Sequence, residues 1–307
     1  MSAPGAALAA PRSRGRRRLR PGRAEPLLWI TPAVAVVLFV FGYSMVELVD
    51  QALKHDGHWV GLRNFRLTLT DPLFQTALEH NARLLLAVPV LVVLALLLSV
   101  LLFEAFRGWR FHRATVFLPY VLPIPVVAVI FGQMLQLNGL LNQALRGIGL
   151  SGLAYDWLGQ PSWALWTMTG VIVWKELGFG VIIFLARLLS LPVETFEAAR
   201  VDGARFFRLH RFVTVPQLAG VIAFYVVVEA ITMVSWVFNY VYVISSGTGG
   251  PGDATQVSEL YIYQNAFQYS APDLAAAAAV ILFGATLVLI VLFFRIQRGA
   301  GFIAAGE

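Results

Sequence analysis

The chain has 307 residues, of which 58% are hydrophobic and only 13% charged, with a mean hydropathy of +0.73. A soluble domain carries about a quarter charged residues, so the composition excludes a soluble globular protein and points to a polytopic membrane chain. The formal charge is +6 and there is no cysteine, which excludes disulfides and thiolate metal sites.

The elements are taken in chain order. Residues 1–26 form a basic tail whose stretch "RSRGRRRLRPGR" (12–23) holds seven arginines. It reads as a cytoplasmic anchor for the orientation of the first span rather than as a nucleic-acid arm. No small-residue cleavage site follows a short apolar core, so a removable signal peptide is not expected. Six apolar runs of the length that crosses a bilayer follow: Leu27–Val49, Ala82–Phe103, Ala114–Leu137, Trp163–Leu185, Leu218–Tyr240 and Leu274–Phe294. Backbone groups in lipid must be satisfied internally, so the expected fold class is all-α, with six transmembrane helices in a membrane domain over 27–296 and a short tail at 297–307. The segment 50–81 between the first two spans is expected to form short helices on the membrane surface. The third span opens with "FLPYVLPIPVV" (117–127), three prolines in seven residues, which predicts a bent or broken start of the kind that lines cavities or a plain kink.

Orientation follows from Lys and Arg placement. The N-terminal tail, 104–113, 186–216 and the C-terminal tail hold 7, 3, 5 and 2 basic residues, against 5 in the segments on the other side. Both termini are therefore expected in the cytoplasm, and 190–216 becomes a cytoplasmic loop. In that loop Pro192 suits a first helical turn and Glu194 the positive end of the helix dipole. A short helix is expected to Val201, a break at Gly203, and a second helix from Ala204 capped by Asp202. Pro216 marks the start of the fifth span.

The stretch "EAARVDGARFFRLHRFVTVP" (197–216) resembles the EAA loop of ATP-binding-cassette importer permeases: Glu197, Ala198, Ala199, Asp202, Gly203, Ala204 and Pro216 all fall in place. Phe206 and His210 depart from the pattern, standing where a proline and an aromatic are common. Between Phe238 and Gly249 the chain is about two residues longer than is usual. "GLRNF" (61–65), "GLLN" (139–142), "WKELGFGVIIFLARLLSLP" (174–192) and "GGPGDATQVSELYIYQNAF" (249–267) resemble the carbohydrate-uptake branch, of the maltose and glycerol-3-phosphate permease type. The resemblance implies a type I importer permease of a bacterial inner membrane, with no enzymatic activity of its own. It implies four further kinds of partner besides the lipid bilayer: a second, homologous permease, two ATPase subunits, an extracytoplasmic substrate-binding protein and a sugar or sugar-derived substrate. Nucleic acid is not among them. The EAA loop would dock on the ATPase, and Gly249, Gly250 and Pro251 would face the binding protein. ATP and magnesium would be used by the partner. Consistently, the chain has no G-x-x-x-x-G-K-[ST] motif, and Asp253 stands where the lysine would be in the glycine-rich run 247–252.

Lys175, Glu176 and Glu229 fall near mid-depth in the fourth and fifth spans. A charge there costs about 2.5–3.5 kcal/mol on the lenient insertion scale, so each needs a partner, water or the path. One reading is a polar patch on the translocation route, with Trp174, Asn239 and Tyr240 as sugar-facing neighbours. The other is a structural Lys175–Glu229 pair tying two helices. A proton-coupled secondary transporter relaying through Glu176 or Glu229 is the alternative function.

Overall fold

A computed structural model describes residues 25–104 and 109–299. The arginine run at 12–23 and residues 300–307 lie outside the described residues. The chain divides into two units at Glu47/Leu48. The first unit is, over its described residues, the body of one helix, α1 (Glu25–Ala52), which runs through Pro32 without interruption.

The second unit holds everything else. A two-stranded hairpin, β1 (Lys54–His55) and β2 (His58–Trp59), follows α1. Its turn residues Asp56 and Gly57 both have positive φ, 48° and 78°, the combination that a type I′ turn demands and that Asp-Gly supplies. Next come α2 (Arg63–Thr70), α3 (Pro72–Leu84) and α4 (Ala87–Phe103). Asp71 caps α3 by accepting the Leu73 N–H at 2.8 Å, and its other oxygen accepts the Tyr261 hydroxyl at 2.7 Å. The apolar helix therefore starts at Pro72 rather than Ala82, because α3 and α4 run on as one stretch to Phe103. Glu79, His80 and Arg83 hide that start in the sequence. The expected surface helices between the first two spans reduce to the hairpin, α2 and the first turns of α3.

The proline-rich stretch separates α5 (Trp109–Val121) from α6 (Ile124–Met134), which meet at 102°. After α7 (Leu140–Gly147) comes the 29-residue α8 (Pro161–Leu189). The loop helices α9 (Val193–Val201) and α10 (Phe206–Leu209) then lead through a wide π-turn, His210–Thr214, into α11 (Val215–Ser235). Short helices α12 (Phe238–Ile244) and α13 (Ser258–Tyr263) precede α14 (Pro272–Gly299). Among the described residues four helices are long and apolar enough to cross a membrane. Two bent pairs, Ala114–Val121 with Ile124–Met134 and α8 with α9, reach that test only together, giving up to six. The fifth run does not extend to Tyr240 as one helix: it breaks at Trp236, whose φ of −139° leaves the helical region.

The core of the second unit lies where α4, α8 and α11 meet, around Leu91, Ala95, Ile172, Phe184, Leu188, Leu218 and Tyr225. Two glycines of α8 let its neighbours come close, the small-residue device of membrane helices. A Cβ on Gly178 would lie 2.8 Å from Tyr120 Cβ, and one on Gly180 would lie 2.7 Å from Ala95 Cβ. Buried asparagines saturate backbone groups that helices leave open. Asn64 donates to the carbonyls of Ala52 and Lys54. Asn142 donates to Gln136, Leu137 and Tyr155 and accepts the Trp157 indole N–H. Asn81 donates to Met233 and Val234 at the end of α11 and accepts the Ser258 N–H at 2.9 Å.

Candidate functional site

A cavity of about 380 Å³ opens between α5, α8 and α11, lined among others by Tyr120, Lys175, Glu176, Phe179, Glu229, Thr232 and Trp236. Lys175 and Glu176 stand side by side on α8, one turn from the close approach at Gly178 and Gly180. Lys175 Nζ lies 3.6 Å from Glu176 Oε1, donates to the Tyr120 carbonyl at 3.3 Å, and sits 5.1 Å from the centre of the Tyr120 ring. Tyr240, wholly buried on α12, donates its hydroxyl to the same Glu176 oxygen at 2.8 Å. Glu229, facing them from α11, is 1% exposed, and its Oε2 has no hydrogen-bond partner among the described residues. The ion pair thus forms within α8, with Glu176, and not across to Glu229 as the structural-tether reading expected. Chemically the cavity offers one cation already shared between a carboxylate, a carbonyl and a ring face, one free carboxylate oxygen, a Thr232 hydroxyl and aromatic walls. Such a set suits a ligand that brings hydrogen-bond donors and an apolar ring face.

The structure brings Lys175, Glu176 and Glu229 to the cavity and Tyr240 to its rear wall through Glu176. Trp174 points away, its ring packed 5.1 Å from Phe131, and Asn239 is exposed on α12; neither lines the cavity. Tyr120, Phe179, Thr232 and Trp236 do line it and escaped the sequence reading. Two carried a signal: Tyr120 lies between the prolines of "LPYVLP", and Phe179 between Gly178 and Gly180.

In the loop, α9 begins after Pro192 and meets α8 at 78°. Phe196 is buried, while Glu194, Glu197, Ala198 and Val201 face outward. The helix closes with the Ala204 N–H bonded to the Ala199 carbonyl and the Gly203 N–H to Arg200, with Gly203 at φ +81°. This is the left-handed closure glycine permits at no steric cost. Asp202 does not cap the second helix: Arg205 occupies that position, with no side-chain cap, and α10 starts at Phe206. Nor is α10 a separate unit, since the π-turn carries it directly into α11; Pro216 sits in the first turn of α11.

On the other flank, Gly249 and Gly250 both have φ of +80°, and Pro251 opens a short 3₁₀ turn. The Gly249 carbonyl accepts the Thr255 N–H at 2.8 Å, and a Cβ on Gly250 would lie 2.6 Å from Thr255 Oγ1. Both glycines are thus required by the turn itself.

Residues 68–298 match the family described as binding-protein-dependent transport system inner membrane component. The chain belongs to that family. The permease is 30% identical over 260 residues to the lactose transport system permease protein of Rhizobium radiobacter, covering 82% of this chain and 86% of that one. It is 32% identical over 283 residues to the diacetylchitobiose uptake system permease protein of Streptomyces coelicolor, covering 87% and 79%. Among solved structures, a bacterial ABC transporter that imports the acidic polysaccharide alginate superposes with a TM-score of 0.78. That match is 24% identical and covers 89% of this permease and 96% of that chain. The family is one of inner-membrane transport components that work with binding proteins, and nothing in these likenesses supports a proton relay through Glu176 or Glu229.

Proposed function

We propose that the permease is one of two membrane subunits of an ATP-driven carbohydrate importer, with six spans and both termini in the cytoplasm. Counting each of two bent pairs as one span gives six, and the greater number of basic residues in the tails, 104–113 and 186–216 supports a cytoplasmic side that includes 190–216. A second, homologous permease completes the pathway around the cavity of Lys175, Glu176 and Glu229. A binding protein delivers the sugar near the turn at Gly249, Gly250 and Pro251. Two ATPase subunits supply the energy, so ATP and magnesium belong to them and this chain catalyses no reaction itself. Lactose and diacetylchitobiose are named for relatives, which supports a sugar as substrate.

The observation that carries the coupling role is the outward face of α9. Glu197 and Ala198 project from a short helix set at 78° to α8 and closed by a left-handed glycine. Space around Gly203 is open, so Gly203→Val is strained only through its backbone, by about 1–2 kcal/mol. It inserts at normal levels. The altered neck no longer presents α9 correctly, so uptake collapses in Gly203→Val and falls at least tenfold in Glu197→Lys. Reconstitution of the whole complex, measuring sugar uptake, subunit stoichiometry and binding-protein-stimulated ATP hydrolysis together, checks this. Wild-type coupling in both variants refutes it.

A further inference from the structure

The end of α4 packs against α9, although Glu104 and Arg200, which join them, lie 96 residues apart in the chain. Phe103, the last residue of α4, packs its ring 5.1 Å from Phe196. The next residue, Glu104, receives Arg200 Nη2 at 3.1 Å on each of its two oxygens. Phe196 and Arg200 are four residues apart, so they share one face of α9; Glu197 and Val201, each one residue further on, lie about 100° round the helix from it. A third element joins them. The π-turn before α11 brings His210 Nε2 to 3.4 Å from Glu104 Oε1, and such turns recur at functional places in helices. The other ring nitrogen, Nδ1, lies 2.9 Å from the buried Thr214 hydroxyl, which fixes the imidazole from behind. One carboxylate therefore meets the second span, the loop helix and the root of the fifth span.

Chain connectivity makes this contact consequential. A displacement of α9 is carried to α8 through Ser190–Pro192 and to α11 through α10 and the π-turn. Neither of those two connections leads directly to α4, which packs on α8 around Ala95 and Gly180 and meets α11 in the core. The contacts of Phe103 and Glu104 tie α4 directly to the loop. The ion pair is a poor structural device, since the Arg200 side chain is 52% exposed and that of Glu104 29%, and exposed pairs add little to stability. We propose that Glu104 is a positioning residue for coupling: by binding Arg200 and lying against His210 it makes the cytoplasmic ends of α4, α9 and α11 move as one body, so that a push on the loop reopens the cavity. The proposal rests on the coupling role of the loop.

The test uses the assembled complex, binding protein included, and needs no knowledge of the sugar. The chain has no cysteine, so Thr232→Cys gives it a single reporter thiol on the cavity wall, and labelling is read on this subunit alone. The probe is a membrane-impermeant maleimide added to proteoliposomes, with and without ATP and vanadate. With Glu104 intact, trapping changes the labelling rate at position 232. In Glu104→Gln the ATPase subunits co-purify and hydrolyse ATP as before, and the melting temperature moves by less than about 3 °C. The labelling change shrinks about tenfold. The charge-swapped pair Glu104→Arg with Arg200→Glu restores at least half of it, which a merely structural loss does not do. A full labelling change in Glu104→Gln overturns the proposal, and so does loss of the ATPase subunits from that variant, which would make Glu104 a docking residue. If Glu197→Lys in the same reporter background also leaves labelling and hydrolysis unchanged, it is the coupling role of the loop that fails, a separate result.

Discussion

At the scale of single residues, the buried charges show how a membrane interior chooses partners. Lys175 is 4% exposed and Glu176 8%, and in such surroundings an ion survives only when its whole hydrogen-bonding capacity is answered. The flexible lysine stem reaches Glu176, the Tyr120 carbonyl and the Tyr120 ring at once, and Tyr240 answers Glu176 from the far side. Breaking such a pair by removing one member costs about 3–5 kcal/mol, whereas removing both need not. Lys175→Met therefore lowers folded yield severely, adding Glu176→Gln recovers it, and adding Glu229→Gln instead does not. Detergent-extracted yield and thermal melting of the three variants check this, and rescue by Glu229→Gln alone would restore the cross-helix pairing. The presence of three costly charges was legible in the sequence because they interrupt apolar runs. Which acid takes the lysine was not, because neighbours on a helix ordinarily diverge, and only the placement of Tyr120 and Tyr240 turned this pair inward together.

At the scale of elements, the break between α11 and α12 has no sequence mark. Residues 235–238 are Ser-Trp-Val-Phe, with neither proline nor glycine. The cause is distant: Glu259, on α13, accepts the Phe238 N–H at 2.8 Å and so caps a new helix at its positive end. That helix carries Tyr240 to Glu176. Burial pushes the Glu259 carboxyl up to about 7, against the downward pull of the Phe238 and Val237 N–H groups. The folded state thus holds a proton that the unfolded state releases near 4.5. Stability from this group is greatest below about 4.5 and falls as pH rises to about 7. Glu259→Gln keeps an acceptor for Phe238 and removes the charge. It should flatten the pH dependence of melting between 5 and 8 and gain about 1–2 kcal/mol at pH 8, allowing for partial exposure. Parallel melting curves for the two proteins across that range would refute the raised titration of the buried Glu259 carboxyl. By contrast, the bend after "FLPYVLP" and the left-handed end of α9 were legible, since proline and glycine enforce them locally.

At the scale of the whole molecule, direction across the membrane decides what every site can do. Val201, 87% exposed on α9, and Thr70, exposed at the end of α2, lie on segments that the proposed topology puts on opposite sides. In this cysteine-free chain, an impermeant thiol reagent added to whole cells labels Thr70→Cys and spares Val201→Cys until the membrane is permeabilised. The reverse pattern would put the loop outside and end the coupling argument.

The sequence by itself determined that the chain is a helical membrane protein, how many apolar runs it has, which loop carries the EAA pattern and where proline and glycine bend it. Those properties are local or additive: hydropathy sums along a run, basic residues count by segment, and a ring or a missing Cβ acts on its own backbone. Only the tertiary structure decided that Lys175 pairs with Glu176, that Trp236 and Thr232 rather than Trp174 and Asn239 line the cavity, and that Glu104 meets both Arg200 and His210. Each of those depends on how helices rotate about their axes. That rotation is set where Gly178 and Gly180 admit Tyr120 and Ala95, and such pairwise fits between distant segments leave no periodic trace in the chain.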